Sequence, residues 1–240
     1  MTDFKCPGQD TRYWTAEDIY NVKCPFCGHD IEFFKDEPFR ICPKCEEEVR
    51  NPKIDLGCAK WCKFAKKCLG VENDSDIMLA SMCQRLVVEM QRVFDEDKKR
   101  IDHAMKVLRY AEQISKSEPG DPLVIRAAAI LHDIGIQEAE RKHGSSAGNF
   151  QEIEGPPIAE KIMKKLELEP ETIEHVCRII GSHHSAKDID TAEFRIIWDA
   201  DWLVNIPEEC PDISEDKIIK IFKTESGKKL ALQKYTEKKK

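Results

Sequence analysis

Four positions far apart in the chain carry side chains suited to holding one cation: His103, the adjacent pair His132 and Asp133, and Asp201. Imidazole nitrogens and carboxylate oxygens are donors that Mn, Fe, Co, Ni and Zn all accept, and affinity order alone does not choose among these metals. His132-Asp133 follows the run Leu-Val-Ile-Arg-Ala-Ala-Ala-Ile-Leu at 123–131, apolar on nearly every side of a helix and so expected to be buried. Two ionisable groups at the end of such a helix are costly to bury unless a cation or a partner compensates them. His103 shares a helical face with Val107, Ala111 and Ile114, four, eight and eleven positions on, so it is expected to point inward. In Trp198-Asp199-Ala200-Asp201-Trp202, Asp201 falls inside the arc set by Ile196, Ile197, Ala200, Leu203 and Val204. Asp199 falls outside that arc, near Arg195, which makes Asp201 the expected ligand.

A second chemistry lies near the N-terminus. Cys24-Pro-Phe-Cys27 and Cys42-Pro-Lys-Cys45 are CxxC knuckles separated by fourteen residues, with Ile31-Glu32-Phe33-Phe34 as a strand between them. Each tight knuckle aims two sulfurs at one point, and four thiolates in a tetrahedron suit a closed structural Zn²⁺ site. A module this small has little core, so the metal would supply much of its folding free energy. Cys58 and Cys62 are one helical turn apart, and with Cys68 and Cys6 they make a candidate second cysteine site for zinc or an iron–sulfur cluster. Their spacing matches neither common ferredoxin pattern.

The ordered series His, His-Asp, Asp across helices resembles the HD superfamily of metal-dependent phosphohydrolases. The pieces that carry the resemblance are His103 in Arg-Ile-Asp-His-Ala-Met-Lys-Val-Leu, then Ala-Ile-Leu-His-Asp-Ile-Gly around His132, then Asp-Ala-Asp-Trp-Leu around Asp201. It extends over residues 76–230 and implies an all-helical fold that hydrolyses a phosphoester or phosphoanhydride, commonly in a nucleotide. Binuclear members use additional histidines for a second metal, and His183 and His184 end a helix in a position to serve that way. The further histidine often found ahead of the next helix is absent, and Gln-Glu-Ile-Glu-Gly stands there, with Glu154 as the candidate substitute. In a mononuclear site His183, His184 or Lys187 would instead contact phosphate or protonate the leaving oxygen. Two other readings remain open. One is a regulatory protein that senses nucleotides or binds a partner or nucleic acid through its cysteine module; the other is a di-iron oxygenase. The segments around Cys-Pro-Gly-Gln and Gly-Cys-Ala-Lys-Trp-Cys resemble an extension on some HD proteins and imply no function.

Helices must position these side chains. After residue 70 the pattern is helical almost throughout, and the spacing predicts helices over 76–96, 98–116, 122–134, 156–166, 171–184, 190–206 and 214–235. The last is expected to break near Gly227, and 136–155, rich in Gly and Ser, is expected to be a long loop beside the site. Asp121-Pro122 suits a helix start, because proline's missing N–H costs nothing in the first turn. The expected architecture is thus mainly α: a helical domain at 71–240 preceded by a cysteine-rich zinc-ribbon module at 1–70.

Composition narrows the classes. Hydrophobic content of 41% supports a packed core, and no apolar run is long enough for a membrane helix. The first residues lack a secretory pattern, so a cytoplasmic location is expected, and there eight cysteines in the first 70 residues read as metal ligands rather than disulfides. A net charge of −7 argues against whole-chain binding to nucleic acid, which needs a basic footprint. The expected partner is a small phosphorylated molecule.

Overall fold

The computed structural model describes residues 11–24, 27–37, 39–46, 48–51, 53 and 74–235. The expected second cysteine site, at Cys6, Cys58, Cys62 and Cys68, lies outside the described residues. The chain divides into two compact units between Ser81 and Met82.

The first unit is built on two antiparallel hairpins, β1 (Ile19–Lys23) with β2 (Asp30–Phe34) and β3 (Phe39–Ile41) with β4 (Glu48–Arg50). Ile19 pairs with Phe34 and Lys23 with Asp30 in one, Phe39 with Arg50 and Ile41 with Glu48 in the other. Alternation along β2 turns Ile31 and Phe33 inward, where they join Val49, Cys24 and Cys42 in a small buried cluster. Asn51, fully buried, ties the hairpins together. Its Nδ2 donates to the carbonyls of Phe34 (3.2 Å) and Glu37 (2.8 Å), and its Oδ1 accepts from the Tyr20 hydroxyl (2.6 Å).

From α1 (Asp74–Phe94) onward the chain is helical: α2 (Lys98–Ser115), α3 (Pro122–Leu131), α4 (Ile136–His143), α5 (Gly148–Lys165), α6 (Pro170–Ile180), α7 (Ala192–Glu209), α8 (Glu215–Ile221) and α9 (Glu225–Tyr235). The mainly α architecture expected from the sequence is the one observed. At the centre lies α3, packed against α2, α6 and α7, with Val124, Ile125 and the run from Ala127 to Leu131 all buried. Each of its large aliphatic side chains contributes roughly 1.5–3 kcal/mol by leaving water. Its start is the expected one: Pro122 is in the first turn, and the Asp121 carboxylate accepts from the N–H groups of Leu123 (2.7 Å) and Val124 (3.1 Å). Asp97, Thr191 and Ser214 cap α2, α7 and α8 in the same way. Among the described residues no helix is long and apolar enough to cross a membrane.

Three local expectations change. Segment 136–155 is not a long loop: α4 fills its first half, Gly144 ends that helix at φ 66°, and α5 begins at Gly148. The inward face of early α5 is made of Gln151, Glu154 and Gly155 rather than aliphatic side chains, so hydropathy gives no helical signal there. Small residues serve because the backbones nearly touch. A Cβ on Gly135 would lie 2.5 Å from the Gly155 nitrogen.

The second change concerns Asp199, which is fully buried rather than facing solvent near Arg195. Its carboxylate accepts from the N–H groups of Lys223 and Thr224 (both 2.7 Å) and from the Thr224 hydroxyl (2.6 Å), fixing the entry to α9. Burial pushes its pKa up, to about 6, against these three donors, so the group is ionised at neutral pH. The third follows from it. The helical break falls at 222–224, and Gly227 lies inside α9, where any Cβ would overlap the Asp199 carboxylate. Asp199→Ala strands three donors and is expected to destabilise the helical unit by about 3 kcal/mol, with Asp199→Asn costing less. Urea unfolding of the full chain measures this, and an unchanged midpoint for the alanine variant would refute it.

Candidate metal centre

Two histidines reach the centre by the same local device. His132 stands one residue beyond α3, and its Nδ1–H donates to the carbonyl of Ala129, three residues back (2.9 Å). His183 stands beyond α6, and its Nδ1–H donates to the carbonyl of Ile180, again three back (2.7 Å). Each ring thereby satisfies an orphan carbonyl of its own helix end. The bond also sets the tautomer, leaving the Nε2 lone pair free to face the centre. His132 is fully buried and His183 nearly so.

His103 enters from α2 and Asp201 from α7, the pair of helices flanking α3. His103 Nε2 lies 3.1 Å from His132 Nε2, 3.1 Å from Asp201 Oδ1 and 3.5 Å from Asp133 Oδ2. His132 Nε2 lies 3.4 Å from Asp133 Oδ2 and 3.7 Å from Asp201 Oδ1. Ligands about 2.1 Å from one cation stand about 3–3.5 Å apart around it, so these separations and this donor set fit a first-row divalent metal. The other oxygen of Asp133, Oδ1, faces His183 Nε2 at 3.4 Å. Asp133 thus belongs to two groups able to hold a metal ion, one with His103 and His132, the other with His183 and His184.

The electrostatics follow from burying carboxylates beside imidazoles. Burial alone would lower the pKa of His132, but the charge of Asp133, its hydrogen bond and the charge of Asp201 outweigh it and raise the value to about 9. Burial likewise disfavours ionised Asp133 and Asp201, yet His132 with His183, and His103 with His132, hold them below the usual carboxylate range. His184 keeps an edge open to solvent, and the protein packed around it, followed by the adjacent His183, pushes its pKa down to about 4.

The side chain of Lys187 is exposed, and its backbone N–H donates to Ser185 Oγ (3.3 Å). Glu154, the candidate substitute for a missing histidine, is held elsewhere, by Lys142 Nζ (2.6 Å) and His143 Nε2 (3.0 Å). The His143 ring stacks on Phe150 with centroids 4.2 Å apart. Asn205, not singled out by its sequence, donates from Nδ2 to Asp201 Oδ1 (2.9 Å). Its position four residues after Asp201 on one helix was the available signal.

The cysteine cluster is a separate centre within the first unit. Each knuckle forms the tip of one hairpin, and the two hairpins bring the sulfurs together. Cys24 Sγ lies 3.6 Å from Cys45 Sγ, and Cys27 Sγ 3.6 Å from Cys42 Sγ. Four thiolates at about 2.3 Å from a tetrahedral Zn²⁺ stand about 3.8 Å apart, so the group can hold a metal ion of that kind.

The domain comparison covers the helical centre. The family model described as HD domain matches residues 100–206, a span that contains His103, His132, Asp133, His183, His184 and Asp201. No curated protein and no solved structure gives a match to the chain.

Because His132 carries a proton up to about pH 9 when no cation is bound, a metal must displace it. Cation affinity is therefore expected to fall as pH drops below that value, about tenfold per unit per proton released. Calorimetric titration with Mn²⁺ in buffers of different ionisation enthalpy counts the protons, and an affinity independent of pH between 6 and 8 would contradict this charge balance.

Proposed function

We propose that this chain, which contains an HD domain at residues 100–206 preceded by a cysteine-rich module, is a metal-dependent phosphohydrolase acting on a small phosphorylated substrate, a nucleotide in the first instance. The observation that carries this reading is the convergence of His103 and Asp201, from two helices, on His132 and Asp133 at the end of a third, to separations of 3.1–3.7 Å. A divalent cation held there supplies Lewis acidity, acidifying water and offsetting charge on phosphoryl oxygens.

The chain's own residues supply the rest. His103, His132, Asp133 and Asp201 would hold the cation, and Asn205 fixes the orientation of the Asp201 carboxylate through its 2.9 Å bond. Asp133 presents its second oxygen toward His183. His184, the next residue, has an exposed side chain, and in this reading His183 and His184 are the groups that meet a phosphate. With its pKa held near 4, His184 is neutral at pH 7 and suits accepting a hydrogen bond or binding a cation more than donating a proton. The Cys24, Cys27, Cys42 and Cys45 group fits structural zinc, because four thiolates close the coordination sphere against substrate.

His132→Ala and Asp201→Ala are each expected to lower turnover by at least about 100-fold, with the helical circular dichroism of each variant recorded to separate loss of a ligand from loss of fold. A phosphatase and phosphodiesterase screen across added Mn²⁺, Fe²⁺, Co²⁺, Ni²⁺ and Zn²⁺, with metal analysis of the same preparations, measures this. Absence of activity with every metal, and no effect of either substitution, would move the reading to a nucleotide-sensing protein. Removal of zinc by a thiol-competing chelator is expected to unfold the two hairpins and change the near-ultraviolet signal of Trp14 and Tyr20. An unchanged signal after complete zinc removal would refute the structural role.

A further inference from the structure

The turn that carries His183 and His184 has a backbone problem, and α5 solves it. In a continuing α-helix the carbonyl of Ile180 would accept from the N–H of His184, four residues on. Here the helix has ended, that carbonyl accepts from the His183 ring (2.7 Å), and the N–H of His184 does not bond to it. Glu152 replaces it. Its Oε1 accepts from the N–H of His184 (3.0 Å) and the N–H of Ser185 (2.7 Å).

The same face of α5 meets the turn at two further points. A Cβ on Gly148 would lie 2.7 Å from Cγ of His184, so the absence of a side chain makes room for that ring. A Cβ on Gly155 would lie 2.7 Å from Cγ2 of Ile180, the residue whose carbonyl orients His183. Positions 148, 152 and 155 are four and then three apart, one stripe of the helix. Two of them admit close approach and the middle one supplies a charge-assisted acceptor, a stronger bond than a neutral one.

We propose that Glu152 is a positioning residue for the His183–His184 pair: it touches neither cation nor substrate, and sets the two imidazoles against Asp133 by holding the backbone between them and Ser185. This rests on the reading of the helical centre as a metal site. Glu152→Ala leaves two backbone donors without their acceptor and lets the turn relax. Glu152→Gln keeps an acceptor oxygen in the same place and rescues it, while Gly148→Ala displaces the His184 ring from the other side without altering Glu152.

The test is cobalt(II) titration of the full chain, its cysteine site already filled with zinc, followed by visible absorption, with thermal unfolding of each variant recorded before cobalt is added. Glu152→Ala is expected to weaken cobalt(II) binding about 10- to 100-fold, as loss of an outer partner of a metal ligand does. Glu152→Gln is expected to stay within about threefold of the unsubstituted chain and Gly148→Ala to weaken binding as the alanine variant does. A lower unfolding midpoint with unchanged cobalt affinity would reduce Glu152 to a structural contact and overturn the proposal, as would equal loss in the Ala and Gln variants. A chain that binds cobalt(II) and shows the expected order of variants, yet hydrolyses no phosphoester, would sink the hydrolase reading and leave this one standing. A chain that takes up no cobalt(II) at the helical site would end both.

Discussion

Burying two carboxylates among imidazoles at the end of an apolar helix is the interaction on which the rest of the helical unit depends. Seven of the ten residues of α3 are buried, and the helix delivers His132 and Asp133 to the middle of the bundle. Isolated charges there would cost far more than the net stability of a domain. Compensation must come from neighbouring helices, and it does: His103 from α2, Asp201 from α7 and His183 from the end of α6 each approach within 3.1–3.7 Å of that pair. The packing of α3 against α2, α6 and α7 is therefore also the arrangement that makes its charged end tolerable.

Helix termini do much of the aiming. His132 and His183 both spend Nδ1 on a carbonyl three residues back in their own chain, which ends the helix, orients the ring and frees Nε2 in one bond. The consequence spreads outward, because a backbone carbonyl occupied by a side chain leaves an N–H to be satisfied elsewhere. Acidic side chains from other elements meet such needs repeatedly: Glu152 beside the turn after α6, and Asp199 at the entry to α9. The carboxylates of this unit thus divide into those that face the candidate cation and those that complete the backbone of the elements holding it.

The cysteine unit meets a different constraint with the same economy of size. Among the described residues its buried cluster holds Ile31, Phe33 and Val49 besides Cys24 and Cys42, a small apolar surface for a module of this kind. Two knuckles at hairpin tips and one buried asparagine, which follows the second hairpin and bonds to the first, supplement it.

Several features were legible in the residue pattern itself. The apolar run before His132-Asp133, the inward stripe of His103 and the Asp-Pro helix start depend on local periodicity and capping, which act within a few residues and leave a direct trace in sequence. The same holds for the CxxC spacing. What the pattern hid depends on contacts between elements. Asp199 looked solvent-facing because a helical wheel knows only its own helix, whereas α9, a segment some 25 residues on, covers that face. Early α5 looked like a loop because glycines and polar side chains line a face where backbones nearly touch, and close approach favours small residues over aliphatic ones. The residue types and local periods thus determined the helices, the knuckles and the candidate donors. Which carboxylate faces the cation and which one serves the backbone was decided only by tertiary packing, since a carboxylate takes its role from the donors that surround it.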